Sequence, residues 1–596
     1  MYRTEHPDPQ FERANYECLN GTWDFAVGKP HGRENCALDG KIEVPFCPES
    51  KLSGIGVTDL ICDCLYSREI TVLESDLQGR LVLRFGAVDY SAQVFVNGRA
   101  AGGHTGGYTA FGVEITPFVH VGKNRITVAV HDDVRENVPS GKQTAEKEAY
   151  GCFYTRVTGI WQTVWLERTP KAYIRSVTYV AHAFSGKVTL SLQTEGKAPV
   201  DVAITFNGKE MGRVRDTENR GVYDIRLAET HLWEIGRGGL YNVTLRYGDD
   251  EVKSYFGLRD VKFEGRKFFV NGKSVFQRLV LDQGYYPDGL YTAPSAEDIR
   301  RDVAQALAFG FNGVRLHQKV FEPRHLYECD RAGLMVWGEY ASWGVAYHTL
   351  DALDTLAAEW TETVEQFRNH PSIVLWCPLN EAWSDLKDAA KVRDIRFVES
   401  MYRLTKRLDG TRPCVDASGG YHGKHTDLFD FHCYHTPEEV AHYIQALEEK
   451  DELIMDTLYP PRVEQGALYD GKLPVHASEY GGVAYNPDGR VNGLQSAVAC
   501  VRETSAWGYR ACDTETAFLE QYVNTTQQLL SCKKLCGFCY TQLYDIEQEQ
   551  NGLLFYDRTS KWSEAGRKRI IECNRQIAAV ERENARQIGG KDVCSC

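Results

Sequence analysis

The chain has 596 residues, 43% hydrophobic and 25% charged, which excludes a wholly disordered, collagen-like or coiled-coil protein. At about 100–200 residues per domain it holds about three to five domains. Its 68 Lys and Arg against 82 Asp and Glu leave a net charge of −14 and a pI near 5.7. Such a chain has no bulk attraction for phosphates, so neither nucleic acid nor an anionic membrane is an expected partner.

No run reaches the ~18 apolar residues of a membrane span. The opening MYRTEHPDPQFERANYECLNG holds neither an apolar core nor a small-residue cleavage site. A signal peptide is therefore not expected, a cytoplasmic location is, and the 18 Cys are read as reduced thiols. Cys532, Cys536 and Cys539 lie close together, but their spacing fits no zinc pattern, and no metal or cofactor is expected.

Residues 1–170 read as β structure. Apolar residues alternate at Leu81, Leu83 and Phe85, then at Val94 and Val96, with further runs at Ile126, Val128 and Val130 and at Ile160, Val164 and Leu166. Asn97-Gly98 is a hairpin signal, because both turn positions want a positive φ. A β-sandwich is expected, ending at Pro170. Residues 171–260 repeat the texture at smaller scale (YIRSVTYV, KVTLSLQT, VDVAITFNGKE, YNVTLRYG) and predict an immunoglobulin-like sandwich without Cys.

Over residues 261–581 strand and helix patterns alternate, which means βα units and a parallel sheet. Ser295 caps a helix with Asp298 three residues on. SVFQRLVLD, NGVRLHQ, LMVWGEY, SIVLWCPLNE, RPCVDASG, LFDFHCYH, PVHASEYGG and KLCGFCYTQLYD make eight strand candidates, the number that closes a (β/α)8 TIM barrel. Residues 582–596 read as a tail.

A barrel places its chemistry at the C-terminal ends of its strands. The fourth strand ends on Asn380-Glu381 and the seventh on Ser478-Glu479-Tyr480-Gly481-Gly482, on opposite sides of the mouth. A pair of carboxylates is what glycoside hydrolysis needs, one as acid and one as nucleophile or base. A lone strand-end Glu more often caps a helix or binds Arg. Two, with Asn beside one, favour chemistry.

These motifs resemble glycoside hydrolase family 2, the family of β-galactosidases, β-glucuronidases and β-mannosidases. RNHPSIVLWCPLNE is similar to its acid/base signature and SEYGG to its nucleophile strand. LNGTWDF, VPFCPES, VFVNGRAAGGHTGGYTAF and TGIWQTVWLE resemble its jelly-roll sugar-binding domain, and HLWEIGRGGLYNVTLRYG with the stretch that follows resembles the join of middle sandwich to barrel. The resemblance implies Glu381 as acid/base, Glu479 as nucleophile, Asn380 on the sugar 2-OH, and Tyr434 bonded to the nucleophile. Arg315 and His317 are implied near sugar and nucleophile. Arg315 and Tyr434 would keep Glu479 ionised, and an apolar wall such as Trp376, with the charge of Glu479, would keep Glu381 protonated.

Departures from the family bear on the sugar. β-Glucuronidases carry Asn-x-Lys before a Gly near the eighth strand to grip the sugar carboxylate. Here the stretch is Glu549-Gln550-Asn551-Gly552, and Glu549 repels a carboxylate unless a cation such as Lys319, Arg324 or Arg558 intervenes. The RHDHHP-like stretch of large β-galactosidases is replaced by one containing Asp282, which remains a candidate for holding hydroxyls, and Tyr540 stands where the eighth strand usually has Trp. Trp343 and Trp383 fall in mouth loops, whereas Trp337 is mid-strand and core. Of the clustered His422, His425, His432 and His435, His435 is a candidate sugar contact, and the cluster lacks metal-ligand spacing.

The expectation is a retaining exo-β-glycosidase acting on a small glycoside or oligosaccharide, with β-galactoside favoured. The alternative is a β-glucuronidase or β-galacturonidase with a non-standard carboxylate grip. An alternative of another class is an inactive carbohydrate-binding relative. Family members often self-associate, so a homo-oligomer is an expected partner state.

Overall fold

The computed structural model describes residues 2–133, 135, 137–382, 393–419, 422–453, 469–489 and 508–582. Trp383 and the expected tail beyond Arg582 lie outside these described residues.

The alternating N-terminal runs form two antiparallel sheets. In the six-stranded sheet, Asp63–Val72 and Gly122–His131 lie at the centre, and Ser91–Val96 pairs with Arg99–Thr105 around Asn97-Gly98, both at positive φ. The four-stranded sheet runs Tyr16–Cys18, Val164–Thr169, Arg80–Phe85, Phe111–Glu114. Leu83, Phe85, Val94, Val128 and Leu166 meet between the sheets, because a period of two puts every second side chain on the inner face. The following region repeats this with a three-stranded and a four-stranded sheet around Leu190, Val202, Ile204, Val243 and Leu245.

From Gln277 the strands are parallel. The seven-stranded sheet runs, in neighbour order, Ile373–Cys377, Met335–Glu339, Gly313–Leu316, Gln277–Asp282, Leu535–Thr541, Val475–Gly481, Phe429–Cys433. Counting staves along the chain, this is order 4-3-2-1-8-7-6, with helices such as Ala296–Ala308 and Pro323–Ala332 between consecutive strands. Ser295 caps the first of these helices, accepting from the Asp298 N–H. The strands are buried on both faces, which is why they read as near-continuous apolar runs.

The expected fifth strand is not a regular one. Residues 413–418 touch the fourth stave only at isolated bridges, Trp376 to Cys414 and Asn380 to Ser418. Pro413 lacks an N–H, and the Cys414 N–H goes to the Asp427 carboxylate (2.9 Å) rather than to a neighbouring strand. The Asp427 N–H bonds back to the Cys414 carbonyl at 3.0 Å, which closes the ring between staves four and six.

The N-terminal segment straps all three regions. Arg3 reaches the Ala293 carbonyl and Glu322 beside the barrel, and Gln10 reaches the Tyr255 carbonyl of the second region. Arg13 makes a two-toothed bond to Asp250 (2.8 and 2.9 Å) and a third to Glu167 (3.0 Å), all three residues buried. Glu167 belongs to the first region's sheet and Asp250 to the second's, so this arginine joins them. Arg13→Met strands the Asp250 charge in a dry interface and should lower stability by about 3–5 kcal/mol. A thermal or denaturant midpoint equal to wild type would show that Arg13 does not join the two regions.

Candidate active site

Glu479 lies on the seventh stave, Val475–Gly481, inside the mouth and buried. Its Oε1 accepts from Arg315 Nη1 at 3.0 Å, and Tyr434 donates its hydroxyl to Oε2. Arg315 ends the second stave and does more than hold Glu479. Its Nε donates to Glu339 Oε2 at 2.6 Å and its Nη2 to Asn380 Oδ1 at 2.6 Å. One guanidinium therefore ties the ends of staves two, three, four and seven. His317, two residues on and so on the same face, has Nδ1 2.9 Å from Glu339 Oε1 and 4.0 Å from Glu479 Oε1.

Glu381 follows the fourth stave with φ 45°, a left-handed conformation uncommon for a non-glycine residue. Its N–H bonds the Ser418 carbonyl at 2.8 Å, so the irregular fifth stave fixes the strained residue. His432 bridges the two acids: Nδ1 is 2.6 Å from Glu381 Oε1 and Nε2 is 3.3 Å from Glu479 Oε1. One ligand atom from each of Glu381, His432 and Glu479 lies within 4.8 Å of the others, and this is the one such trio among the described residues with a spacing that could hold a metal. Its negative charge is met here by Arg315 and by His432.

Electrostatics sort the acids. Burial pushes the Glu479 carboxyl up, but His432, Arg315, His317 and Lys142 outweigh it and bring it down to about 2. Burial dominates at Glu339 and raises it despite Arg315. His432 is lowered by burial, yet Glu479 and Glu381 together raise it, toward the imidazolium. His317 falls well below its ordinary value through burial and then Lys142, so it sits there as a neutral ring.

The first β region completes the mouth. Ser140 N–H bonds the Trp343 carbonyl at 2.8 Å, and Gly141, at φ 56°, lies so close to the Gln318 carbonyl that a Cβ would come within 2.1 Å of it. Lys142 follows, buried, with Nζ 5.6 Å from the Trp343 ring centre. Tyr154 donates its hydroxyl to Glu549 Oε2, and Asn551 Nδ2 donates to Oε1 at 2.9 Å. Burial raises the Glu549 carboxyl, with Lys142 opposing. Trp343 Nε1 donates to the Asn380 carbonyl at 3.0 Å, and the buried Asn380 Nδ2 has no hydrogen-bond partner among the described residues. Tyr509 stacks on Tyr434 at 3.5 Å, over Gly482, where a Cβ would meet both rings within 3.0 Å.

Seven of the candidate residues thus surround one space: Glu381, Glu479, Asn380, Tyr434, Arg315, His317 and Trp343. Glu549 borders it through Tyr154 and Lys142. The structure does not bring the remaining three there. Asp282 Oδ1 is taken up by the Tyr544 hydroxyl and the Gly284 N–H. Tyr540 is core, packed between Tyr480 and Tyr522, because its position alternates to the helix side of the stave, whereas Thr541 Oγ1 lies 3.3 Å from the Tyr434 hydroxyl. His435 pairs with Glu439 on the following helix. Trp376 does not wall Glu381. It faces outward onto Trp360 and donates to Asp409. His422 is locked between Asp416 and Asp430, which raise it to about 10 against burial. Trp337 is core, donating to Gln277.

The residues missed were His432, Glu339, Lys142, Tyr154 and Tyr509. Two carried a signal: His432 is two positions before Tyr434 and shares its face, and Glu339 ends the third stave as Glu479 ends the seventh. Lys142 and Tyr154 carried none, since they come from a loop of another region.

Two stretches match models of one family: residues 54–170 match the sugar-binding domain of glycosyl hydrolases family 2, and residues 261–573 its TIM barrel domain. A putative β-glucuronidase of Formosa agariphila is 28% identical over 399 residues, 61% of this chain and 46% of that protein. A β-galactosidase of Thermoanaerobacter pseudethanolicus is 25% identical over 58% of this chain and 47% of its own length, so the chain spans about half of each of these relatives. A Streptococcus agalactiae β-glucuronidase is 24% identical over 66% of this chain and 70% of its own. Among solved structures, Bifidobacterium dentium β-glucuronidase in complex with coumarin-3-O-glucuronide superposes with a TM-score of 0.77 at 18% identity, covering 94% of this chain and 98% of that one, a likeness of fold. With the barrel model alone matching more than half of its length, the chain belongs to glycoside hydrolase family 2.

Proposed function

We propose that the protein is a retaining exo-β-glycosidase that removes a terminal β-linked sugar by double displacement. The observation that carries this is the spacing of its two acids, with nearest ligand atoms within 4.8 Å. Retaining enzymes hold their carboxyl groups about 5–5.5 Å apart, and inverting ones about 6.5–9.5 Å. In the first step Glu479 attacks the anomeric carbon as the bond to the leaving oxygen breaks, and Glu381 gives that oxygen a proton. In the second, Glu381 takes a proton from water, whose oxygen attacks the anomeric carbon and releases Glu479. His432 holds Glu381 through Nδ1 and lends positive charge to Glu479 through Nε2. Asn380, whose Nδ2 has no hydrogen-bond partner among the described residues, is the donor for the sugar 2-OH. The two β regions are read as a jelly-roll and an immunoglobulin-like module, divided near residues 170 and 260.

For the sugar, a β-glucuronide or related uronide replaces the β-galactoside favoured on sequence grounds. Two of the three relatives above are named β-glucuronidases. The argument against a uronide was repulsion by Glu549, and that argument weakens where burial raises the Glu549 carboxyl and two donors hold it. A neutral hexoside remains the second reading, because a buried carboxyl beside Tyr154 and Asn551 also suits a sugar hydroxyl.

Proton NMR of a fresh reaction should show the β-anomer first, and an α-anomer would refute retention. Glu479→Gln should lower turnover by more than ~10³-fold in a folded protein. Azide should partly rescue Glu479→Gly, with an α-glycosyl azide as product. Glu381→Ala should lose far more activity on alkyl than on nitrophenyl glycosides, since only the poor leaving group needs the proton. Equal losses would place the acid elsewhere. His432→Asn tests the charge arrangement. The nucleophile works ionised, and His432 is the foremost charge lowering it. Removing that cation raises the Glu479 pKa, so the acid limb of kcat/KM should move to higher pH by about one unit. A limb that stays in place would mean that His432 serves Glu381 alone.

A further inference from the structure

A uronide brings its own carboxylate into the site, and a buried anion needs a cation or several donors. The segment that resembles the family's lysine-bearing grip supplies Glu549 and Asn551 instead. The three cations that the sequence offered in its place are all engaged. Lys319 Nζ donates to the carbonyls of Gly284 (2.6 Å) and Tyr291 (2.8 Å), and burial brings it down to about 7. Arg558 is held by both oxygens of Asp302 and by the Tyr285 carbonyl. Arg324 is turned to the His6 carbonyl of the N-terminal strap.

Lys142 is the exception. It is buried, and among the described residues its Nζ makes no hydrogen bond and no ion pair. It lies over the Trp343 ring, 5.6 Å from its centre. Burial pulls its pKa down, but Cys152, Glu549, Glu479 and Glu381 together raise it, so the ammonium stays charged. The backbone that carries it is fixed on both sides. Its carbonyl accepts from Tyr154 N–H at 2.8 Å, and Gln143 beside it donates to Asp89 (2.7 Å) and accepts from Val157 N–H (2.7 Å). A buried ammonium beside the Trp343 ring, held in place without a hydrogen-bond or ion-pair partner among the described residues and within electrostatic reach of Glu549, Glu479 and Glu381, suits an anion.

Resting on the uronide reading above, we propose that the Lys142 ammonium, supplied by the first β region, binds the carboxylate of the sugar. Lys142 is then a specificity residue that favours a uronide over the same sugar with a hydroxyl at C6. Glu549 competes for the same ammonium, so removing its charge strengthens the grip.

The test compares 4-nitrophenyl β-D-glucuronide with 4-nitrophenyl β-D-glucoside, which differ only at C6. Lys142→Met acts on both substrates through Glu479, but it should cut kcat/KM on the glucuronide about a hundredfold more than on the glucoside, chiefly through KM. Lys142→Arg should recover part of the loss, and Glu549→Gln should raise the glucuronide value. Inhibition by free D-glucuronate should weaken with Lys142→Met by the same factor as the kcat/KM ratio of the two substrates. The glucoside rate carries the part of the loss that passes through Glu479, and the thermal midpoint is the control for folding. An equal fall on both substrates, or unchanged glucuronide kinetics in an enzyme that hydrolyses it, would overturn the role of Lys142 and leave the uronide reading standing. A wild-type enzyme active on neutral glycosides and inert on glucuronide and galacturonide would refute the uronide reading, and the proposal with it.

Discussion

The site is organised around the guanidinium of Arg315. It is buried, so its charge is tolerable only where carboxylates meet it, and Glu339 and Glu479 do. Its planar fork serves several partners at fixed angles, which lets one residue set the positions of Glu339, Glu479 and Asn380 and also bond the Ser478 carbonyl at 3.2 Å. A lysine in its place would meet these partners as a single point charge and fix none of their orientations. Because Arg315 and these partners stand at the ends of four different staves, any slip in barrel register would break the fork before it moved the backbone far.

Around that fork, four acids meet three cationic groups. Glu339, Glu381, Glu479 and Glu549 face Arg315, Lys142 and a histidine raised toward its imidazolium. The acids are not equivalent, because desolvation and cations are distributed unevenly among them. Glu479 has the raised His432, Arg315 and Lys142 acting on it and is driven down, whereas burial wins at Glu339 and Glu549. Separating the pKa values of neighbouring acids by their surroundings is how one site holds its nucleophile below the acids beside it.

The barrel does not make this site alone. Lys142 and Tyr154 come from a loop of the first β region, and Gly141 is the position that lets that loop lie against the Gln318 carbonyl. The second region packs on the barrel through Trp233, which donates to the Asp330 carbonyl, and Tyr255, which donates to the Asp330 carboxylate, and Arg13 ties its Asp250 to Glu167. The β regions are therefore part of how the mouth is shaped and charged. A site lined from two regions depends on their packing as well as on the local geometry of each stave.

The sequence by itself determined what local periodicity and position can determine. Alternation fixed the inner faces of the first β region, down to Leu83, Phe85, Val94 and Leu166. The end-of-stave rule singled out Glu381 and Glu479, and the resemblance to the family added Arg315 and His317. Tertiary structure decided what depends on neighbours far along the chain. It made the fifth stave irregular, because Pro413 and the Asp427 side chain replace the ladder bonds there. It turned Tyr540 and Trp376 away from the mouth, and it occupied Asp282, Lys319 and Arg558 with protein partners. It set His432 between two acids separated from it by 51 and 47 residues, and brought Lys142 from another region to the same place. Charge interactions act through space, so a residue's neighbours and pKa belong to the folded chain, while its period along a strand is already written in the sequence.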